Sequence, residues 1–278
     1  MKNYILIFFL ALYFLFKNIK NILPCTFIDQ PGNFLLLTAH PDDESMFFAP
    51  TILNLKGNLT IICFSTGNYL QETESEMNMT KKEISEDKNN YFANNFMKTQ
   101  KRNYEVKRNK IRLKELKNVC KFLNRNNKFI QNKEIINRNY LNTKCIILNL
   151  QDNSDWDTNE IVSIIRFYNL IYNFNCIFTF DRNGVSNHKN HISLFFATRK
   201  FRQEIPVKCY YLNSKNIWYK YFIDFSLNKN SFCSGIIKYF TSIRMMLFHK
   251  SQILWFRILY IFFSNFMIYN DYTDLDNI

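Results

Sequence analysis

The sequence predicts a three-layer α/β domain, doubly wound and Rossmann-like, with a mostly parallel sheet and an N-terminal membrane-anchor helix before it. Three observations carry this expectation. Phe34–Ala39, Leu59–Phe64, Cys145–Leu150 and Cys176–Phe180 are short, continuous apolar runs, as expected of strands buried on both faces. Stretches with helical apolar spacing lie between them. The chain has 278 residues, 47% of them hydrophobic, with only five glycines and five prolines. That is enough for a sizeable core and argues against a loop-rich or fibrous protein.

The chain opens with Tyr4–Phe16, thirteen apolar residues in a row. As a helix this run covers about 20 Å, short of the roughly 30 Å hydrocarbon core. Extension through Ile19, Ile22 and Leu23 suffices when Lys17 and Lys20 snorkel. A cleaved signal peptide is the rival, but no small-x-small site follows. Residues 1–23 are therefore read as an anchor. Lys17 and Lys20 favour a downstream domain on the cytosolic side.

Residues 24–33 read as a linker with a Pro31-Gly32 turn, and residues 34–270 as the catalytic domain. After the first strand, Ser45–Leu55 reads as one helix packing through Met46, Phe48, Ile52 and Leu53. Residues 71–107 are polar and rich in Asn, Lys and Glu, and read as a disordered insertion. Arg108–Leu123 recovers helical spacing, whereas 126–142 gives no clear pattern. The third strand leads into an acidic loop, 151–158. Asn159–Tyr172 is a helix buried through Ile161, Ile164, Ile165 and Tyr168. The fourth strand ends in the loop 181–191. Trp255–Tyr269 is very apolar but interrupted by Arg257, Ser264 and Asn265, as expected of a buried or interfacial helix rather than a span. Residues 271–278 form a tail.

The formal net charge is +13, unevenly spread. Residues 1–70 hold four basic and four acidic side chains, whereas 199–257 hold eleven basic and two acidic. A basic C-terminal third is either a plain solvated face or one that meets an anionic membrane surface. No basic helix or RNA-binding signature points to a nucleic-acid partner. The seven cysteines are widely spaced without C-x-x-C. They read as buried free thiols of a reducing compartment rather than a disulfide framework.

The chemistry concentrates at Thr38-Ala39-His40-Pro41-Asp42-Asp43-Glu44, at the carboxyl end of the first predicted strand. Charge this dense costs several kcal/mol if buried unpaired, and a divalent metal is the simplest compensation. Only four histidines exist, 40, 188, 191 and 249. His188 and His191 form H-x-x-H after the fourth strand, on one side of a helical turn. A catalytic zinc site takes three protein ligands, which His40, Asp43 and His191 can supply. Asp42 is then left as the base for the water proton. His188 is left to protonate the leaving group or stabilise the oxyanion. Zn²⁺ suits this mixed N/O set, with Fe²⁺, Mn²⁺ or Co²⁺ as alternatives. Glu44 is either a second layer of support or a dipole-favoured helix acid. Arg112 contacts substrate phosphate or sugar, or pairs with Glu115. His249 lines the site for substrate, or sits in a polar core. Asp181 orients a ligand imidazole, or caps its own loop.

Ala39-His40-Pro41-Asp42-Asp43-Glu44 resembles the signature of the LmbE/PIG-L-like deacetylases. Cys63-Phe64-Ser65-Thr66-Gly67-Asn68-Tyr69, Arg112-Leu113-Lys114-Glu115-Leu116, Trp156-Asp157, Thr179-Phe180-Asp181 and the Gly184–His191 stretch also resemble that family. His249-Lys250-Ser251-Gln252 with Leu254-Trp255-Phe256-Arg257 resembles its eukaryotic glycolipid branch. The resemblance implies a zinc-dependent amidase of GPI-anchor synthesis at the cytosolic face of the endoplasmic reticulum membrane. Its substrate would be the membrane glycolipid GlcNAc-phosphatidylinositol and its product glucosaminyl-phosphatidylinositol. Carried over by position, the ligands are His40, Asp43 and His191, the base Asp42, and the acid or oxyanion stabiliser His188. Asn190 stands where bacterial relatives often carry Asp. Two rivals stay open: a deacetylase of soluble GlcNAc conjugates, and a catalytically silent membrane scaffold. The apolar termini argue against the first and the full set of catalytic residue types against the second.

Overall fold

The computed structural model describes residues 25–67, 107–125, 141–221 and 229–274. Strand β1 (Gly32–Thr38) is followed by two one-turn helices, α1 (Asp43–Met46) and α2 (Ala49–Ile52), and by β2 (Gly57–Ser65). Helix α3 spans residues 107–125. Then come β3 (Leu141–Leu150), α4 (Thr158–Tyr172), β4 (Cys176–Phe180), the single turn α5 (Gly184–Asn187), α6 (Lys189–Glu204) and β5 (Lys208–Leu212). The C-terminal part holds α7 (Ile217–Tyr221), β6 (Ser231–Cys233), α8 (Gly235–Phe248), α9 (Trp255–Phe263) and β7 (Tyr269–Asp274), with 3-10 turns at Lys250–Gln252 and Asn265–Met267.

The sheet has seven strands in the order β3-β2-β1-β4-β5-β7-β6. β3, β2, β1, β4 and β5 run parallel, and β7 lies antiparallel to both β5 and β6. The apolar runs become strands because parallel strands covered on both faces must be apolar throughout. From β1 the chain moves outward one way through β2 to β3, and from β4 the other way to β5. Right-handed crossovers in opposite directions put helices on both faces. The strand order reverses between β1 and β4, and ligands of such sheets bind outside the carboxyl ends there. The loops after β1 and β4 are the two that carry the histidine-bearing stretches. Phe34, Leu35, Leu36 and Leu37 of β1 are buried with Ile177 and Phe178 of β4, so the strand ends that present the site sit on the middle of the core.

The structure differs from several expectations. The single helix expected over 45–55 is two short turns. Pro50 falls at the first turn of α2, and inside a longer helix it would lack a donor and clash with the carbonyl four residues back. The linker is not free: Thr26 bridges to Phe232, and Cys25 O accepts from Cys233 N at 2.9 Å. Cys25–Cys233 and Cys120–Cys145 are paired as disulfides, which corrects the expectation of seven free thiols. Their Cα separations of 5.0 and 6.4 Å lie within the usual span of the bond. Cys63, Cys176 and Cys209 are free and buried. The expected anchor, and the insertion apart from its last residue, lie outside the described residues. Among the described residues no helix is long and apolar enough to cross a membrane.

β1 and β2 meet at a crowded corner, where Gly57 has φ +106° and a Cβ there would lie 2.4 Å from Gly32 O. Gly57→Ala is expected to lower unfolding free energy by about 1–3 kcal/mol through strain alone. Denaturant unfolding of the purified protein checks this, and a cost below about 0.5 kcal/mol would mean the corner relaxes freely.

Candidate active site

Asp43 stands at the start of α1, where its backbone leaves β1. Its Oδ2 accepts from Ala39 N at 3.0 Å and His40 N at 2.8 Å. The same oxygen lies 3.3 Å from His191 Nε2 and 3.6 Å from His40 Nδ1. Burial pushes the Asp43 carboxyl up, but His191 and His40 outweigh it and hold it well below the usual carboxylate range. The loops after β1 and β4 thus close on one carboxylate oxygen.

Each imidazole is fixed from behind. His188 is the N-cap of α6, accepting from Asn190 N at 3.3 Å, and His191 falls one turn later on the same side. His191 Nδ1 donates to Gly184 O at 2.9 Å, which leaves Nε2 buried with no hydrogen-bond partner. The ring stacks flat on Phe180, the last residue of β4, at 3.8 Å. Gly184 packs so close that a Cβ there would lie 2.9 Å from His191 Cβ. His40 Nε2 donates to Asp152 Oδ1 at 2.8 Å. Burial pushes the His40 imidazole down, but the bond to Asp152 and the charge of Asp43 prevail and raise its pKa to about 10. His188 is half-buried; burial and the two neighbouring imidazoles lower its pKa to about 4.

Ligand nitrogens of His40, His188 and His191 lie within 4.8 Å of one another. Two donor sets are therefore open to a metal, the three imidazoles, or His40 and His191 with Asp43. The second fits better. His40 and His191 each have the far nitrogen held by an oxygen, as metal-binding histidines do. His188 uses Nδ1 to accept, so its Nε2 carries the proton and is a donor. The buried, unpartnered Nε2 of His191 beside the ionised Asp43 carboxylate is the observation that fits a cation here.

Asp42 sits in a strained backbone, with φ 124°, a region that costs a non-glycine residue about 1–3 kcal/mol. Glu44 Oε2 accepts its N–H at 3.1 Å. Glu44 Oε1 accepts from Ser45 Oγ and from His249 Nε2, both at 2.6 Å. Asp42 carries two guanidinium neighbours, Arg112 Nη2 at 3.6 Å and Arg257 Nη2 at 3.3 Å. Burial still prevails over them, and the Asp42 carboxyl is raised above the usual carboxylate value. The second site loop is strained too: Val185 has φ 61°, unusual for a β-branched residue, and its N–H is held by Ser214 Oγ at 2.8 Å.

A cavity of about 250 Å³ opens over these groups, lined by His40, Asp42, Asp43, Asp152, His188 and His191 together with Arg108, Arg112, Lys220 and Arg257. Arg112 reaches this lining, but Nη2 donates to Pro41 O at 3.0 Å and so holds the motif loop. Its expected partner Glu115 instead accepts from Ser251 N and Oγ. Two expected roles are not seen. His249 does not line the cavity; it and Glu44 are fully buried against each other, a partner to the carboxylate rather than to substrate. Asp181 touches no imidazole; it caps its loop, accepting from Asn183 N and from Ser214 N and Oγ. The carboxylate beside the histidines is Asp152, which the sequence reading passed over as part of an acidic loop. Its signal was position, two residues past the end of β3. Asn190 clamps that loop, accepting from Asn153 N at 2.9 Å and donating to Ser154 O at 3.0 Å. Arg257, which the sequence reading gave no separate role, was also missed.

Residues 35–201 match the family model described as PIG-L, GlcNAc-PI de-N-acetylase. A Bos taurus N-acetylglucosaminyl-phosphatidylinositol de-N-acetylase is 30% identical over 259 residues, covering 85% of this chain and 81% of that protein. The Saccharomyces cerevisiae protein of that name is 27% identical over 310 residues, covering 92% and 84%. Among solved structures, a deacetylase of teicoplanin biosynthesis superposes with a TM-score of 0.54 at 10% identity, over 88% of this chain and all of that one. A Pseudomonas putida hydratase, GalB, gives 0.52 at 7% identity, over 88% and 96%. These two show a shared fold and nothing finer, since a fold carries several chemistries. With the family model spanning more than half the sequence, the chain belongs to the PIG-L family of GlcNAc-PI de-N-acetylases.

Proposed function

We propose that this chain hydrolyses the N-acetyl group of GlcNAc-phosphatidylinositol, giving glucosaminyl-phosphatidylinositol and acetate in GPI-anchor biosynthesis. The observation that carries the chemistry is Asp43 Oδ2 facing His191 Nε2 and His40 Nδ1 at 3.3 and 3.6 Å, beside a second carboxylate that is left for proton transfer. The family and the names of its curated members support the substrate. The cations around the cavity suit a phosphate-bearing glycolipid. Membership of the family supports catalysis over the silent-scaffold rival.

His40, Asp43 and His191 are the residues that would hold a divalent ion, with Zn²⁺ the best match to two nitrogens and an oxygen. When bound, such an ion supplies a Lewis acid for the acetyl carbonyl and makes water more acidic. Asp42 takes the proton of the attacking water, and its raised pKa suits a base that must also release that proton. His188, neutral at pH 7 with its proton on Nε2, donates to the oxygen that gains charge as water adds. The C–N bond then breaks, the amine leaves with the proton held by Asp42, and acetate remains. Glu44 and His249 keep Asp42 in its strained position. We place the reaction at the cytosolic face of the endoplasmic reticulum membrane, with residues 1–23 as anchor; the apolar run and the basic C-terminal third support this reading.

Asp42→Asn is expected to keep its metal and lose most turnover, whereas Asp43→Asn loses metal. Metal content and acetate release from GlcNAc-phosphatidylinositol, with and without chelator, separate the two; near-native turnover in Asp42→Asn overturns the assignment of the base. Metal uptake at pH 7 is expected to release about one proton, because His40 is protonated up to about pH 10 before it binds. Calorimetry in buffers of different ionisation enthalpy reads that proton. Asp152→Asn is expected to weaken metal binding by about 10–100-fold and to shrink the proton release.

His249→Ala leaves the Glu44 charge buried alone and is expected to cost about 3–5 kcal/mol of stability. Glu44 is lowered from 4.5 and His249 raised from 6.5. The Glu44 contribution is therefore present above pH 4.5 and lost as pH falls through its depressed native value. The His249 contribution is present below pH 6.5 and lost as pH rises through its elevated native value. Unfolding of native and variant protein across pH should show the largest gap between 4.5 and 6.5.

A further inference from the structure

Three short helices near the cavity expose apolar side chains. On α8, Ile237, Phe240 and Leu247 form one stripe at helical spacing and are 83%, 64% and 49% exposed. On α9, Trp255 and Leu259 are one turn apart and 75% and 49% exposed. On α7, Trp218 is 67% exposed. The helices pack on one another: Tyr239 of α8 donates through its hydroxyl to Phe262 O of α9 at 3.2 Å, and Tyr221 of α7 meets Tyr260 of α9 edge-on. Apolar side chains gathered on the faces of three helices that pack together mark an interaction site.

Its charge, length and neighbours say what it meets. Residues 217–221 and 235–263 carry Lys220, Lys238, Arg244, Lys250 and Arg257 and no carboxylate. α8 and α9 have 14 and 9 residues, about 21 and 14 Å as helices, against a hydrocarbon core of roughly 30 Å. Such helices lie in an interface and do not span it. The apolar run at 4–16 leads into Cys25, which is joined to Cys233, two residues before α8 begins. Lys220 of α7 and Arg257 of α9 line the cavity, so the same helices form part of its mouth.

We infer that the exposed apolar face of α7, α8 and α9 seats on an anionic lipid bilayer, in addition to any anchor at the N-terminus, and holds the cavity mouth at the level of the lipid headgroups. The apolar side chains enter the boundary between headgroups and acyl chains, and the exposed Arg244 and Lys250 meet lipid phosphate. This deepens the reading of a membrane glycolipid substrate but is testable without it.

The chain has three tryptophans, of which Trp218 and Trp255 lie in this face and Trp156 is buried. The full chain, reconstituted with phosphatidylcholine–phosphatidylserine vesicles containing brominated acyl chains, is expected to lose the emission of Trp218 and Trp255 and to keep that of Trp156. The loss should be smaller without phosphatidylserine and disappear in Trp218→Phe/Trp255→Phe. Protein that sediments with the vesicles but keeps its full emission overturns the proposal, as does quenching that persists in the double variant. Quenching that is equal without phosphatidylserine overturns the anionic preference. The 4–16 run folded over this face would also appear as sedimentation without quenching.

A second arm uses substrate. Ile237→Ser/Phe240→Ser is expected to lower kcat/KM on vesicle-embedded GlcNAc-phosphatidylinositol by about tenfold and to leave detergent-dispersed substrate unaffected. An equal loss on both forms, or on neither, counts against the surface. Absence of activity in the native chain on either form counts against the proposed substrate instead, and leaves the quenching result to stand by itself.

Discussion

The site depends on one oxygen. Asp43 Oδ2 accepts two backbone N–H groups at the end of β1 and faces two imidazoles, one from its own loop and one from α6. The first pair of contacts fixes the carboxylate to the sheet, and the second makes it the meeting point of the two halves. The topology requires this arrangement, because β1 and β4 are adjacent parallel strands whose following loops leave on opposite sides of a crevice. A side chain at that reversal that bonds back to its own strand end is rigid without needing a long loop to support it.

Rigidity there is bought with backbone strain, and the strain has identifiable supports. Asp42 at φ 124° and Val185 at φ 61° sit in the two loops that bear the functional groups. Glu44, held by fully buried His249, bonds the Asp42 N–H, and Ser214, held by Asp181, bonds the Val185 N–H. In the first case a carboxylate holds the strained N–H and an imidazole backs it; in the second a hydroxyl holds it and a carboxylate backs that. His249 and Asp181 therefore support the site without touching it, which is where the structure departs from the roles expected for them.

The parts of the fold and site that were legible in the sequence are those specified locally. Runs such as Phe34–Ala39 identify buried strands because both faces must be apolar, and His40–Glu44 and His188–His191 identify themselves by density of chemistry. The break before Pro50 was also local, but apolar spacing across 45–55 masked it. What was illegible depends on which strands become neighbours. Asp152 meets His40 across 112 residues and His249 meets Glu44 across 205. No window of sequence contains either pair. β7 (Tyr269–Asp274) was missed because its residues alternate polar groups that bond inward, such as Asn270 to Thr51 and Phe47, and so it lacks an apolar run. The Cys25–Cys233 pair joins segments that only the edge of the finished sheet brings together.

The electrostatics explain why two adjacent aspartates behave differently. Both are buried, and burial alone raises both carboxyl groups. Asp43 has two aligned backbone donors on Oδ2 and two imidazoles within 3.6 Å, and the donors and the imidazole charge together overcome the desolvation. Asp42 has cations on two sides, but Oδ2 receives no hydrogen bond. A charge at 3.3–3.6 Å without aligned donors does not offset the loss of water, and Asp42 stays raised. In the proposed reaction the carboxylate that would stay ionised is thus the one bonded to the sheet, and the one that would exchange a proton is the one left short of donors. His40 completes the balance. With Asp43 and Asp152 both depressed and flanking it, the imidazole retains a proton far above its ordinary range. That proton marks a position at which these side chains favour positive charge, the property a divalent ion bound by His40, Asp43 and His191 would use.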